Sequence, residues 1–363
     1  MKAGLIYIAL MTALLILIPV VGILVNPPST PAAAMAVPES EPVQEPPAAV
    51  DAAPEIPVPE IMPAVQHSPN GVDSFLIYDM ASGEVETVSL RDYVLGAVAS
   101  EMPAVFHPEA MKAQAVAAHT FALHNHHVRR DIPDPALHGA DFAADPSGMR
   151  VYITEETARE FWGEDYADEF WAKISAAADS VLGYILEYDD EPIAAAYHAI
   201  SAGRTEDAAN VWTGSADYLV PAESGGDFLA PDFEVTQHFT AEEAKHILAN
   251  LLPGISLPDD PALWFSEIEH SPSGYVTAVT VGGERLHGKD IRTAFGLRSH
   301  SMDISYDGRG FGFTTYGHGH GVGLSQYGAD FMARQGYTFE QILAHYYPGA
   351  QLRAISAGFA DGV

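Results

Sequence analysis

The chain has 363 residues, a formal net charge of −32 at pH 7 and no cysteine. So acidic a chain is a poor candidate for binding nucleic acid, because phosphate contacts require clustered lysine and arginine. Without cysteine it can form neither disulfides nor thiolate metal sites.

The N-terminal 25 residues predict a transmembrane anchor. Residues 3–25 are apolar and uncharged, which suits a bilayer-spanning helix and exceeds the apolar part of a typical signal peptide. Lys2 precedes this run, so the positive-inside rule places the N-terminus in the cytoplasm and the rest of the chain outside. The alternative is a signal peptide cleaved among the small residues between Ala32 and Ala36.

Residues 26–71 predict a disordered linker. They are rich in Pro, Ala and Glu and contain no Phe, Tyr or Trp, so they cannot bury enough surface to fold. Such a proline-rich segment is extended and semi-rigid, with a reach on the order of 100 Å. It would let an anchored domain explore a layer outside the membrane.

Two helices follow the first predicted hairpin of the folded part. The hairpin joins strands at 72–78 and 84–88, and Ser89 then has the features of an N-cap. The first helix runs to Glu101, because Pro103 forces the preceding residue out of the helical region. Pro108 suits the first turn of the second helix. One face of that helix is predicted to pack closely, and it comprises Ala110, Met111, Gln114, Ala117, Ala118 and Phe121.

The remaining elements alternate irregularly between hairpins and helices. The pattern predicts one or two helices at 156–178, paired strands at 184–188 and 193–198, and a strand followed by a helix within 233–262. It then predicts a hairpin at 268–281, a short helix at 289–295, strands within 304–315 and a last helix from Thr338 to Tyr346. This order lacks a regular βαβ alternation and predicts an α+β fold.

Glu101 is the strongest candidate for a catalytic acid. A carboxylate at a helix C-terminus meets the negative end of the helix dipole, which disfavours its charged form. Partial burial would raise the pKa further, so that a protonated acid could persist near neutral pH. Glu109 is the nearest rival, but its place near a helix N-terminus favours the ionised form. Gln114 is either a satisfied core group or a substrate contact.

A glycine-rich segment at 316–328 is the second candidate. Glycine at alternate positions clears one face of an extended segment, so that another backbone or a ligand can approach closely. His318 and His320 share the other face and could be metal ligands. No third ligand stands at a recognisable spacing, and no phosphate-binding glycine motif is present.

Several collinear motifs resemble the stage II sporulation protein D family. They include Glu101-Met102-Pro103, the stretch from Glu109 to Ala118, Ser201-Ala202-Gly203-Arg204-Thr205, and the segment from Gly319 to Ala329. The resemblance covers most of 72–354. It implies a two-lobed catalytic domain with a central cleft, in which about 233–310 form a second, inserted lobe.

The resemblance implies a lytic transglycosylase that acts on peptidoglycan glycan strands during engulfment in sporulation. Glu101 would be its general acid and base, and no cofactor would be needed. Its implied substrate-binding residues are Lys112, Gln114, Ser201, Gly203, Thr205, His320, Ser325, Gln326 and Tyr327. The implied partners are an amidase and a polytopic membrane protein of the engulfment machinery. The main alternative is a non-catalytic amidase enhancer that binds the cell wall, and a weaker one is a metal hydrolase.

The chain departs from the family pattern at several positions. His119 stands where the family usually has arginine, so a fixed cation is lost or made pH-dependent. A paired glycine becomes Ala202-Gly203, and His318 replaces a bulky aromatic residue. Some members carry zinc on Cys and His near 137–152. Only His138 remains here, so we expect no zinc.

Overall fold

A computed structural model describes residues 72–144, 152–212 and 214–355. The predicted anchor and linker, residues 1–71, lie outside this part of the chain. Within the described ranges, no helix is both long and apolar enough to cross a membrane.

The fold combines helices with several small sheets, as expected for the α+β class. The helices are α1 (Leu90–Glu101), α2 (Pro108–Asp131), α3 (Glu155–Trp162), α4 (Ala167–Asp179), α5 (Ala208–Val211), α6 (Ala241–Leu251), α7 (Gly288–Phe295), α8 (Gln326–Arg334) and α9 (Phe339–Tyr346). Short 3-10 turns lie at Pro135–Leu137, Gly225–Leu229 and Pro261–Leu263.

The strands are β1 (Ser74–Asp79), β2 (Glu84–Ser89), β3 (Phe142–Ala144), β4 (Tyr184–Tyr188), β5 (Glu191–Pro192), β6 (Tyr197–His198), β7 (Glu234–Thr240), β8 (Phe265–His270), β9 (Val276–Val281), β10 (Glu284–Leu286), β11 (Met302–Tyr306), β12 (Gly310–Tyr316), β13 (Leu324–Ser325) and β14 (Gln351–Ala354). They form sheets in the orders β2-β1-β3, β14-β4-β5, β13-β6, β11-β12-β7 and β10-β9-β8.

Helix α2 is the centre of the first hydrophobic core. It packs against α1, α4, α8, α9 and β4, and nearly every residue from Ala110 to Thr120 is buried. The predicted single packing face was therefore too narrow, because neighbours surround this helix. Its many alanines let those neighbours approach closely.

A second hydrophobic core lies within the segment from β7 to β12. Its buried members run from Ala244 to Phe313 and include Trp264, Val279 and Ile291. Strands β7 and β12 bound this segment and pair antiparallel, with Glu234 opposite Tyr316. The second, inserted lobe and the central cleft both stay predictions.

Local sequence signals located most helix starts correctly. Ser89 accepts a hydrogen bond from the Asp92 N–H at 3.1 Å, and Thr240 and Glu243 form a capping box that opens α6. Met102 is extended, so α1 ends at Glu101 as predicted. Helix α8 was not predicted.

The predicted strand at 193–198 is wrong. The hairpin turn at Asp189 and Asp190 exists, but the returning strand β5 is only Glu191–Pro192. Proline has no N–H to extend an antiparallel ladder. The chain leaves that sheet, and Tyr197–His198 pair in parallel with Leu324–Ser325 instead.

Candidate functional site

Glu101 ends α1 with its side chain partly buried. Burial raises the pKa of Glu101, and a hydrogen bond from Gln326 opposes that rise in part. The helix stops here because Met102 precedes a proline and adopts an extended conformation. The expected raised pKa is therefore present, and its main cause is desolvation.

One glutamine holds this carboxylate, and a second glutamine lies beside the first. Gln326 Nε2 donates to Glu101 Oε2 at 3.1 Å and lies 3.5 Å from Gln114 Oε1. Gln114 and Gln326 are 0% and 2% exposed, respectively. Gln114 Nε2 has no hydrogen-bond partner, so it is a free donor within this group. The structure thus brings together Glu101, Gln114 and Gln326 from three helices.

Two tyrosines missed by the sequence analysis lie near Glu101. Burial, together with the charge of Glu101, raises the pKa of both Tyr93 and Tyr197. Both phenols therefore stay protonated near neutral pH. Tyr93 has the spacing of an ordinary core residue of α1, so no sequence signal separated it from its neighbours.

Asp227 is a second residue that the sequence did not reveal. It is completely buried. One of its carboxylate oxygens accepts from the Ser201 N–H at 2.9 Å and from Ser201 Oγ at 2.5 Å, and the other accepts from Ser325 Oγ at 2.8 Å. Burial raises the pKa of Asp227, while these hydrogen bonds lower it. Since Ser325 caps α8, Asp227 fixes the start of the helix that carries Gln326.

The predicted binding residues around Asp227 are bonded inside the protein. Ser201, Thr205 and Ser325 are fully buried, and Thr205 Oγ1 accepts from the Ala222 N–H at 2.8 Å. The Gly203 N–H donates to Ser201 Oγ at 3.2 Å. In this arrangement these residues are already hydrogen-bonded within the protein, and their contact with a substrate remains a prediction.

Lys112 lies apart from the Glu101 group. Its Nζ binds Glu109 Oε1 at 2.7 Å, and Glu109 Oε2 accepts from the Phe339 N–H at 2.8 Å. Lys112 and Gln114 are two positions apart on α2, which separates them by about 200° around the helix. Glu109 thus ties α2 to α9.

His320 lies between two other rings. Its centroid is 5.6 Å from that of His198 and 5.0 Å from that of Trp212. Burial and the nearby Arg292 lower the pKa of His320 to about 4. Tyr327 packs its ring 4.8 Å from Phe106.

The glycines of the 316–328 segment allow other parts of the protein to approach closely. The sequence analysis predicted close approach by another backbone or by a ligand. Gly323 has a φ of +71°, and a Cβ there would overlap the Ala196 carbonyl oxygen. Gly321 has a φ of +77° and faces the Tyr275 ring. Between β12 and β13 the segment is therefore an irregular loop and not a regular strand.

No group of three or more His, Cys, Asp or Glu residues suited to a metal ion lies within the described ranges. His318 is bonded through its backbone to Ile200, and burial lowers the pKa of His318 to about 4. His119 is buried as well, which lowers the pKa of His119 to about 4. Position 119, where the family usually has arginine, therefore carries an uncharged side chain near neutral pH.

The fold and the site together define an α+β protein with one partly buried acid that is hydrogen-bonded to a glutamine. The family model "Stage II sporulation protein" matches residues 78–188. The stage II sporulation protein D of Bacillus subtilis (strain 168) is 37% identical over 286 residues, covering 78% of this chain and 80% of that protein. That of Bacillus amyloliquefaciens is 35% identical over 292 residues, covering 80% of each.

The chain belongs to the stage II sporulation protein D family, as its motifs indicated. A more distant relative is the protein of Bacillus subtilis (strain 168) named amidase enhancer. It is 23% identical over 316 residues, which cover 71% of this chain and 40% of that protein.

Proposed function

We propose that the protein is a membrane-anchored lytic transglycosylase of peptidoglycan. It cleaves the β-1,4 bond between N-acetylmuramic acid and N-acetylglucosamine and acts in septal peptidoglycan degradation and engulfment during sporulation. The observation that carries the proposal is Glu101, an acid with a raised pKa whose carboxylate is oriented by Gln326. The family membership supports peptidoglycan as the substrate class.

Glu101 performs two proton transfers in this proposal. Its protonated form first donates to the glycosidic oxygen as the C1–O4 bond breaks. The resulting carboxylate then accepts the proton of the muramic acid C6 hydroxyl as that oxygen bonds to C1. The products are a 1,6-anhydro ring and a free 4-hydroxyl, and no water is consumed. A raised pKa supports the first step, because the acid form must be present at working pH.

A single carboxylate suffices because the nucleophile belongs to the substrate. Ordinary glycoside hydrolysis uses two carboxyl groups, one of which attacks or activates water. Here the C6 hydroxyl is already close to C1, and intramolecular reaction is strongly favoured. Among the described residues, the groups that shift the pKa of Glu101 do not include another carboxylate.

Location and partners follow from the same proposal. The apolar run at 3–25 would hold the protein in the cell membrane as a single-pass anchor with its N-terminus in the cytoplasm. The linker at 26–71 would carry the catalytic domain to the wall. An amidase and a polytopic membrane protein of the engulfment machinery remain the proposed partners.

The test is product analysis with the full chain in detergent and purified glycan strands. Mass spectrometry should find 1,6-anhydro ends, and Glu101→Gln should lower their rate of formation by about 10²-fold or more. Glu242→Gln, on the exposed face of α6, is the matched control and should keep full activity. Equal rates for Glu101→Gln and the wild type would overturn the assignment.

The amidase enhancer is the second candidate, supported by the 23% identity to that relative. It predicts binding to cell wall without cleavage. If neither the wild type nor Glu101→Gln formed anhydro ends, and both sedimented with cell wall and stimulated an amidase, this second function would replace the first.

A further inference from the structure

A buried carboxylate on α8 holds the chain that follows the proposed catalytic acid. Residues 102–107 connect Glu101, the last residue of α1, to the start of α2. Asp330 is buried, and its Oδ1 accepts from the His107 N–H at 2.6 Å. Hydrogen bonds to a carboxylate are shorter and stronger than those to a neutral acceptor. Asp330 therefore anchors the far end of the connection to α8.

Two cations bind the middle of the same connection. Arg334 Nη2 donates to the Val105 carbonyl oxygen at 3.2 Å, and Arg334 Nε donates to Asp330 Oδ2 at 2.7 Å. Lys173 of α4 donates to the Ala104 carbonyl oxygen at 2.9 Å. Burial lowers the pKa of Lys173 and the charge of Asp330 opposes that change, so the carboxylate lies near both cations. Their charges lower the cost of burying it.

The same side of α8 carries the partner of Glu101. Gln326, Asp330 and Arg334 follow one another at intervals of four residues, which aligns them along one face of a helix. Gln326 binds Glu101 at the start of the connection. Asp330 binds His107 at its end. One helix face therefore holds both ends of the connection.

The direction of the Gln326 amide depends on how α8 is held. Its other contact, to Gln114 Oε1, is 3.5 Å long, which is too long to orient a flexible side chain. Ser325 caps the start of α8, but one attachment does not fix a helix against rotation about that point. Asp330 supplies a second attachment, about one turn further along the helix.

We propose that Asp330 is a positioning residue for the catalytic acid: by fixing α8, it holds the Gln326 amide against Glu101. The inference rests on the proposed function, since that function makes Glu101 the acid. Among the described residues, burial and Gln326 shift the pKa of Glu101, whereas the charge of Asp330 does not. Asp330 therefore acts on the acid through the geometry of α8 and not through its own charge.

Two substitutions separate the hydrogen bond of Asp330 from its charge. Asp330→Asn keeps an oxygen that can accept from the His107 N–H, and Asp330→Leu does not. Both remove the negative charge and both side chains branch at the same carbon, so the effect of charge cancels between the two variants.

The measurement is the pKa of Glu101 in the full chain in detergent. The chain carries ¹³C in its glutamate carboxyl groups, and the Glu101 signal in an NMR titration is the one that Glu101→Gln lacks. Because the Gln326 bond lowers the pKa of Glu101, Asp330→Leu should raise that pKa, by no more than Gln326→Leu does. Asp330→Asn should stay close to the wild type.

A double variant tests whether Asp330 acts through Gln326. Gln326→Leu already lacks the bond, so adding Asp330→Leu should raise the pKa of Glu101 no further. An equal pKa in Asp330→Leu and Asp330→Asn, or additive shifts in the double variant, would overturn the positioning role.

The matched control is Asp141→Leu, which removes another buried carboxylate that accepts from a backbone N–H. Asp141 Oδ2 accepts from the Leu76 N–H at 2.8 Å, and Asp141 Oδ1 lies 2.8 Å from His126 Nδ1. Asp141→Leu should lower the Tm and leave the pKa of Glu101 unchanged. An equal rise in this control would mean that Asp330 only stabilises the fold. If Asp330→Leu does not fold, Asp330→Ala decides, because alanine also lacks the acceptor and favours a helix.

The outcome is separable from that of the proposed function, because the titration needs no turnover. A raised pKa of Glu101 in Asp330→Leu, with no anhydro products from the wild type, would reject the catalytic proposal and keep the link from Asp330 to Glu101. Anhydro products from the wild type, with an unchanged pKa in Asp330→Leu, would reject the positioning role alone.

Discussion

Gln326 donates a 3.1 Å hydrogen bond to Glu101 although the two residues are 225 positions apart. The bond exists because Ser325 caps α8 and is itself anchored to the buried Asp227. A carboxylate at the end of one helix is therefore oriented by the first residue of another. Contacts between residues that are far apart in the sequence therefore specify the orientation of Glu101.

The hydrogen bond from Gln326 should set the alkaline limit of activity. It stabilises charged Glu101, so its loss in Gln326→Leu should raise the pKa of Glu101. The acid form then persists to higher pH, and the alkaline limb of kcat/KM should move upward. Gln351→Leu, at an exposed strand position, should leave the profile unchanged. A limb that stays in place or moves to lower pH would contradict this role.

Ionised Glu101 should lower the free energy of unfolding of the protein at neutral pH. Its folded-state pKa is raised, so its stabilising contribution is present below the unfolded value near 4.3 and is lost as pH rises through the folded pKa. Glu101→Gln removes this penalty. We expect its Tm to exceed that of the wild type by on the order of 2 °C or more at pH 7, and the difference to vanish near pH 4. A lower Tm at pH 7 would refute the prediction.

Buried histidines should make the fold sensitive to acid. Burial lowers the pKa of His119 to about 4, so its contribution to stability is present above about 6.5 and is lost as pH falls through 4. His119→Leu should lessen the drop in unfolding free energy between pH 7 and pH 5, by at most about 1.4 kcal/mol per pH unit. Urea titrations at the two pH values measure this, with the exposed His246→Gln as control. An identical drop in His119→Leu and the wild type would contradict the assignment of His119 as a source of acid sensitivity.

Gly323 should be intolerant of any side chain. A Cβ there would overlap the Ala196 carbonyl oxygen, and its φ of +71° adds backbone strain. Gly336 has a φ of +93° with nothing near its Cβ position, so Gly336→Ala isolates the strain at about 1–2 kcal/mol. Gly323→Ala should cost about 3 kcal/mol or more in urea unfolding. Equal losses of unfolding free energy in Gly323→Ala and Gly336→Ala would mean that the contact with Ala196 contributes nothing.

Local signals in the sequence predicted much of the fold. Caps at Ser89 and Thr240 and the turn at Asp189 depend on neighbours within a few residues, so they could be recognised directly. The strand predicted at 193–198 failed because the pairing of Tyr197 with Leu324 is a long-range event. Helix α8 was missed because it starts in a glycine-rich stretch that resembles a loop.

Some residues of the candidate site also have a sequence signal, and others are recognised only in the folded structure. Glu101 was predictable from a helix end, and its partner Gln326 came from the family resemblance. No local sequence pattern identifies Asp227, Tyr93 or Tyr197, because only burial in the folded protein distinguishes them from ordinary residues.

The pairing of Glu234 with Tyr316 has an evolutionary consequence. The segment between these two residues departs and returns on adjacent strands, so its two ends stay about 5 Å apart whatever lies between them. Lengthening or exchanging that segment leaves the path of the chain through α1, α2 and α8 unchanged. A recombination event there would replace the whole segment while the acid at Glu101 is inherited intact.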